Sequence, residues 1–419
     1  MKKQIAVLAA FMMAVSVGLS SCGSDNDSSS SKASTTSAAA SSEAESESQS
    51  ESSESSEESS EQNSDAIEIS SADDFKKIYD DLTANYVLTG DIDFAGESID
   101  PVGIFEPKSE AEEDSETPND EKAFSGTFDG NGYTISNVKI DAADKNGVGI
   151  FGCVSGTGAG VKNLKVENID VTGSAMTGGV IGYAYYDTNV QDITMSGENT
   201  VNGTFLIGGV VGASHADIEN CTAAATVNLT NENAQGAGII VGGLEDGSIS
   251  NCSVSGKVTA KDGCYSIGGL AGCFHNSKYA KDCTAENVEI ETGDKCWLVG
   301  GLAGHSGTFE GDPTSVENGK VSNVSIKTGE NSERIGGIVG GGFYGSAYKQ
   351  YYAEPSKSNL KSCSVSDFTV TGGKYVGAAV GYAYNSTTVE AFNGTVKWND
   401  KESDEQIGAD EKISLDKLL

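Results

Sequence analysis

His215, His275 and His305 are the only imidazoles in a chain of 419 residues, and Glu245 stands 30 residues from each of the first two. An imidazole–carboxylate–imidazole series is zinc chemistry if the three side chains converge. Nine cysteines (Cys22, Cys153, Cys221, Cys252, Cys264, Cys273, Cys283, Cys296 and Cys363) raise soft-metal binding, redox exchange or disulfides. "FDGNG" at 128–132 has the look of a calcium loop, but Tyr133 stands where a further oxygen ligand belongs and no bidentate Glu follows. Each of these chemistries depends on which residues the fold makes neighbours.

The elements that position them are repeats. An apolar pentad ending in glycine recurs as "VGIFG", "GGVIG", "GGVVG", "GIIVG", "GGLAG", "GGLAG", "GGIVG" and "GAAVG", closing at Gly152, Gly182, Gly212, Gly242, Gly272, Gly304, Gly340 and Gly381. The intervals are 30, 30, 30, 30, 32, 36 and 41 residues. A second motif keeps phase with it, in "VKNLKV", "VQDITM", "IENCTA", "ISNCSV", "AKDCTA", "VSNVSI", "LKSCSV" and "VEAFNG", and short alternating runs lie between. About three brief strands per unit, joined at Gly or Asn corners, cannot cover their own apolar face, whereas stacked units share one. The expected fold is all-β: a right-handed parallel β-helix of about 8–10 coils. A β-propeller is the alternative, but its blades of about 40–50 residues do not suit a period of 30.

All five prolines (Pro101, Pro107, Pro118, Pro313, Pro355) lie before the first repeat or in the two longest late ones, sparing the ladder its N–H groups. "SSADDFKKIYDDL" from Ser70 reads as a short capping helix, with Ser70 or Ser71 as N-cap and Phe75, Ile78, Tyr79 and Leu82 on one face. Residues 67–135 would be cap and entry coils carrying an acidic loop at 106–122, residues 136–396 the repeats, and 397–419 a terminal cap or tail.

Placed on this frame, the chemistry thins out. Cys221, Cys252, Cys283 and Cys363 share a column with Leu164, Ile193, Val324 and Phe392, a core position where a thiol is a small hydrophobe. Cys264 and Cys296 on adjacent coils are the pair to test as a disulfide. His215 and His275 would stand two ladder spacings apart, roughly 9.6 Å, too far for one ion, so an exposed, weakly paired ladder is expected and neither a metal nor any other cofactor is assigned. "FDGNG" is read as a glycine turn.

At the N-terminus, Lys2 and Lys3 precede an apolar run from Ile5 to Val17 that is short for a membrane span. Leu19-Ser20-Ser21-Cys22 resembles the lipobox of bacterial lipoproteins, which implies residues 1–21 as signal peptide and Cys22 as the lipidated mature N-terminus. Residues 22–66, nearly all Ser, Glu, Ala, Asp and Thr, read as a disordered tether. The formal charge of −35 excludes nucleic acid as a partner, and Arg334 is the only arginine.

The phased pentads and the "GTFDGNGYTI" entry resemble the GLUG-repeat proteins, bacterial surface β-helices, over roughly residues 85–396. Some large members pair such repeats with a zinc protease domain cleaving immunoglobulin A; no H-E-x-x-H occurs in this chain. β-Helix lyases and hydrolases imply a second possibility, a polysaccharide-active enzyme, but they use Arg or Lys bases and grouped Asp residues that the repeats do not supply. The long late repeats, 305–320 and 341–359, point instead to binding loops. Phe343, Tyr344, Tyr348, Tyr351 and Tyr352 are the candidate ligand contacts, for a glycan or a protein partner. The expectation is a lipid-anchored, surface-exposed monomer of the cell envelope that acts by adhesin-like binding and is not an enzyme. A structural spacer or accessory subunit is the remaining alternative.

Overall fold

A computed structural model describes residues 66–109, 117–308, 312–342, 356–384 and 387–411, the side chains of Asp410 and Glu411 apart. The chain is a parallel β-helix. Its strands fall into sheets of 24, 7 and 9 strands, with the long sheet receiving two strands from most coils. Pairing between coils is parallel and in register. In the nine-stranded sheet one column runs Cys153, Tyr183, Ala213, Gly243, Cys273, His305, Gly341 and Tyr382, the same intervals that the pentads show in sequence.

The paired and closing glycines have a steric cause. A Cβ on Gly242 would lie 2.3 Å from Ile207 N, and one on Gly304 2.2 Å from Ile267 N. The closing glycine therefore sits where the strand crosses the backbone of the preceding coil, and any side chain would force the coils apart. That backbone is itself unusual: Met176, Leu206, Ser266, Leu298, Arg334 and Tyr375 all have φ between 53° and 63°. The left-handed residue recurs at the second position of these strands in the seven-stranded sheet, where the closing glycine of the next coil crosses.

The first coil is covered by a helix at Ala72–Phe75 that continues as a 3-10 turn over Lys76–Tyr79. Ser71 is the N-cap, its hydroxyl accepting from Asp74 N at 3.1 Å. Phe75 and Ile78 are fully buried, Phe75 meeting Phe94 and Phe128 edge-on. The helix stops short of Leu82. The Asp81 carbonyl accepts instead from the Tyr86 hydroxyl at 2.6 Å, and the Asp81 carboxylate caps Thr83. At the other end, Val396–Trp398 and Lys401–Ser403 form an antiparallel hairpin, and Ile407–Glu411 closes the nine-stranded sheet. No helix among the described residues is long and apolar enough to cross a membrane.

The cysteine column is real, with one change of membership. The pairs Thr194–Thr222, Thr222–Ser253, Ser253–Thr284, Thr284–Lys320 and Lys320–Ser364 place Ile193, Cys221, Cys252, Cys283, Gly319 and Cys363 in line. Val324 is not among them; it pairs with Val288 and Phe368. The register shifts between Val254 and Gly256, where the next coil inserts a residue. The next three coils carry a second Asn or Asp corner, at Asn287, Asn323 and Asp367, as an earlier coil does at Asn168. The sequence motif "VSNVSI" belongs to that second corner, and "VENGK" to the first.

Candidate functional site

Cys22 and the loop aromatics Phe343, Tyr344, Tyr348, Tyr351 and Tyr352 lie outside the described residues. Cys264 and Cys296 are held as free thiols, not a disulfide. Each points into its corner and donates to a carbonyl of the preceding coil: Cys264 to Asn231 O and Cys296 to Lys261 O, both at 3.1 Å. Burial pushes the Cys264 thiol up to about 11 and the Cys273 thiol up to about 12, with the Glu245 carboxylate adding to the latter. Thiols so raised are poor nucleophiles near neutral pH. "FDGNG" is a turn: Asp129 accepts from Asn131 N at 2.8 Å and from the Asn163 amide at 3.0 Å.

The His215–Glu245–His275 column stacks on successive coils as the intervals imply, yet it is not exposed. The three side chains are 7%, 8% and 3% accessible. In the nine-stranded sheet, side chains alternate between the main core, as Phe274 does, and a second apolar cluster of Met176, Tyr183, Phe205, Leu206, Ala213 and Cys273. The histidine column borders that second cluster. Phe105, from the stem of the acidic loop, packs on Tyr183 with ring centroids 5.2 Å apart. Tyr186 lies 4.4 Å over His215 and ties itself down by donating to Asp246 at 2.6 Å.

Burial holds His215 down at about 3 and His275 at about 4, and keeps His305 well below the ordinary histidine range, with His275 adding to the effect on His215 and His305. All three are neutral at physiological pH. His275 Nε2 stands 3.9 Å from Glu245 Oε1, beyond hydrogen-bond reach, and a neutral ring forms no ion pair. Among the described residues no three metal-capable side chains converge. Beside this column a cavity of about 30 Å³ is lined by Met176, Leu206, Ala213, Cys273, His215 and Glu245, among others. His215 Nδ1 is buried without a hydrogen-bond partner among the described residues.

Farther along the same two sheets lies a feature that sequence reading missed. In the seven-stranded sheet Phe205, Gln235, Tyr265, Trp297, Glu333 and Lys374 follow one another on successive coils. Tyr265 and Trp297 stack with centroids 4.7 Å apart and planes 16° from parallel. The Arg334 guanidinium lies 5.4 Å from the Trp297 centroid and 4.8 Å from that of Tyr382. It also donates to the Tyr384 hydroxyl at 3.4 Å and meets Glu333 at 3.3 Å. Tyr375 packs edge-on against Tyr382 and is 41% exposed. The only arginine is thus clamped in an aromatic strip, its geometry fixed before any ligand arrives. The signal was present: these residues stand three and two positions before the paired glycines, in "YSIGG", "WLVGG" and "ERIGG".

The model of the GLUG motif matches residues 203–228 and 233–259. Halomucin of Haloquadratum walsbyi is 30% identical over 172 residues, 39% of this chain, which spans only 2% of that protein's length. A solved structure of a candidate immunoglobulin A1 protease from Bacteroides ovatus matches 82% of this chain and 80% of its own, at 16% identity and a TM-score of 0.39. Both motif matches fall on stacked coils whose left-handed corners and closing glycines recur along the solenoid, and the chain carries GLUG motifs over these coils.

Proposed function

We propose that this protein is a lipid-anchored surface β-helix of a bacterial envelope that acts by binding a glycan, or a glycan-bearing protein, and performs no reaction of its own. The observation that carries the reading is the strip Tyr265–Trp297–Arg334–Tyr382–Tyr384 with the exposed Tyr375 at its end. Tyr382 and Tyr384 are buried and hold Arg334 from beneath, while the half-buried Tyr265, Trp297 and Arg334 and the exposed Tyr375 offer rings and one guanidinium in a strongly acidic molecule, the mixture of apolar body and polar tip that sugars and interface residues share. Buried neutral histidines and raised thiols support binding over catalysis, since neither group is poised to move protons near neutral pH. The resemblance at Cys22 supports the anchor.

The test is an array of glycans and mucins probed with the folded domain and with Trp297→Ala and Tyr375→Ala. Binding by the parent that both variants reduce supports the proposal; an array that stays blank removes it. Turnover of a polysaccharide by the purified domain would move the assignment to an enzyme. Loss of membrane association in Cys22→Ser, by cell fractionation, tests the anchor separately.

A further inference from the structure

We propose that Cys273 and Gln235 condense into an intramolecular thioester, a covalent staple between the nine-stranded and the seven-stranded sheet. The inference is independent of the glycan-binding reading. It describes a single event in the maturation of the chain, with no external substrate and no turnover.

The fold makes the two residues neighbours through a backbone crossing. Gly272 is a closing glycine, and a Cβ on it would lie 2.7 Å from Gly236 Cα and 2.6 Å from Ala237 N. Cys273 directly follows the glycine that crosses, and Gln235 directly precedes the residue that is crossed. The left-handed Gly236, at φ 82°, breaks the alternation of its strand. Ala237 enters the main core while Gln235 turns away from it, as Ile207 and Phe205 do on the preceding coil. Cys273 belongs to the second cluster, on that same side. The structure thus holds a free thiol and a carboxamide side by side, the amide within hydrogen-bonding reach of the sulfur.

Both groups are buried, Gln235 at 4% and Cys273 at 1% accessible. Among the described residues the carboxamide has no hydrogen-bond partner besides that sulfur, and sulfur is a weak acceptor. A buried amide so poorly satisfied is costly. Condensation removes the cost: the sulfur bonds to Gln235 Cδ, the Cδ–Nε2 bond breaks, and the thiol proton leaves with the nitrogen as ammonia. Neither an oxidant nor a cofactor is consumed. Burial, with the Glu245 carboxylate adding to it, pushes the thiol up to about 12, so attack is slow. It is needed only once, and two groups held in contact in a rigid site react at a very high effective concentration. The product is then protected. Cys273 borders an apolar cavity with Met176, Leu206 and Ala213, and Tyr265 pairs with Gln235 on the next coil, surroundings that exclude the water that would hydrolyse a thioester.

The full chain, purified in amine-free buffer, should be denatured and digested in acid and mapped by mass spectrometry. The peptides containing Gln235 and Cys273 should appear joined, lighter than their sum by one ammonia. Methylamine added in denaturant should separate them, leaving N-methylglutamine at position 235 and a thiol at 273 that alkylates, whereas a phosphine reductant should leave them joined. Cys273→Ser and Gln235→Ala should each abolish the joined peptide, with circular dichroism reporting their fold. Full alkylation of Cys273 beside an intact Gln235 in the freshly denatured parent overturns the inference, whether or not the variants fold. So does a cross-link at Cys273 that the phosphine opens, which is a disulfide. A blank glycan array leaves the thioester standing, and an unmodified Gln235 leaves the proposed function standing.

Discussion

At the scale of single residues, two glycines of the same type carry unequal weight. Gly304 has Ile267 N at 2.2 Å from its notional Cβ, whereas Gly132, at φ 77°, has nothing within 4 Å. Gly304→Ala should therefore cost about 2–4 kcal/mol, the range of a forced backbone shift. Gly132→Ala should cost only the αL preference, about 1 kcal/mol. Denaturant titration of the two variants separates them, and equal losses would mean that the crossing does not constrain the coil. The histidines set a pH dependence of definite sign. Their folded pKa values lie below the unfolded value near 6.5, so the unfolded chain binds more protons as the pH drops. Stability is then full above pH 6.5 and is lost as the pH falls toward the folded values of about 4 and about 3 for His275 and His215. Melting temperatures should fall between pH 6.5 and 4.5, and His275→Gln should flatten that slope. A flat profile in the parent would contradict the burial of the column.

At the scale of strands and corners, the left-handed Asn positions stack. Asn251 has φ 53° and donates through its amide to Asn220 at 3.2 Å. Asn251→Leu should lose about 1–2 kcal/mol through the αL penalty alone, while Asn251→Gly should be close to neutral; a chemical melt in which both lose equally would assign the corner to packing instead. These corners also show how far the sequence could be read. The closing glycines announce the coil length because one backbone crossing recurs in every coil, and the observed register follows their intervals. Val324 was misplaced because its coil has two Asn corners of similar sequence, at Asn318 and Asn323, and only the register tells them apart. The exposure of His215, Glu245 and His275 was misjudged for another reason. Tyr186 lies over His215 and Phe105 packs on the neighbouring Tyr183, side chains that no period places there. The Tyr265–Trp297–Arg334 strip was hidden because its members differ in type at each coil, and a column of unlike residues leaves no repeat to notice.

At the scale of the whole molecule, each coil meets chiefly its two neighbours, so length is adjustable in whole coils. Deleting residues 213–242 joins Gly212 to Gly243 and keeps every column in phase, because Ala213 and Gly243 are partners in one ladder. That variant should fold with the strand signature of the parent in circular dichroism and a denaturant slope lower by roughly a tenth, in proportion to the surface removed. Deleting 213–227 breaks the phase and should not give a cooperative transition. A folded product from the second deletion would argue that the columns are not what holds the stack.

The in-register pairing makes the molecule a ruler as much as a scaffold. Nine rungs in one sheet, at about 4.8 Å each, give a stiff rod of roughly 40 Å. Extra residues in a coil leave the rod no longer, because the ladder counts coils and ignores what leaves its corners. A lineage can thus lengthen the reach of such a protein by duplicating coils and change its recognition by enlarging corners, and neither change disturbs the other.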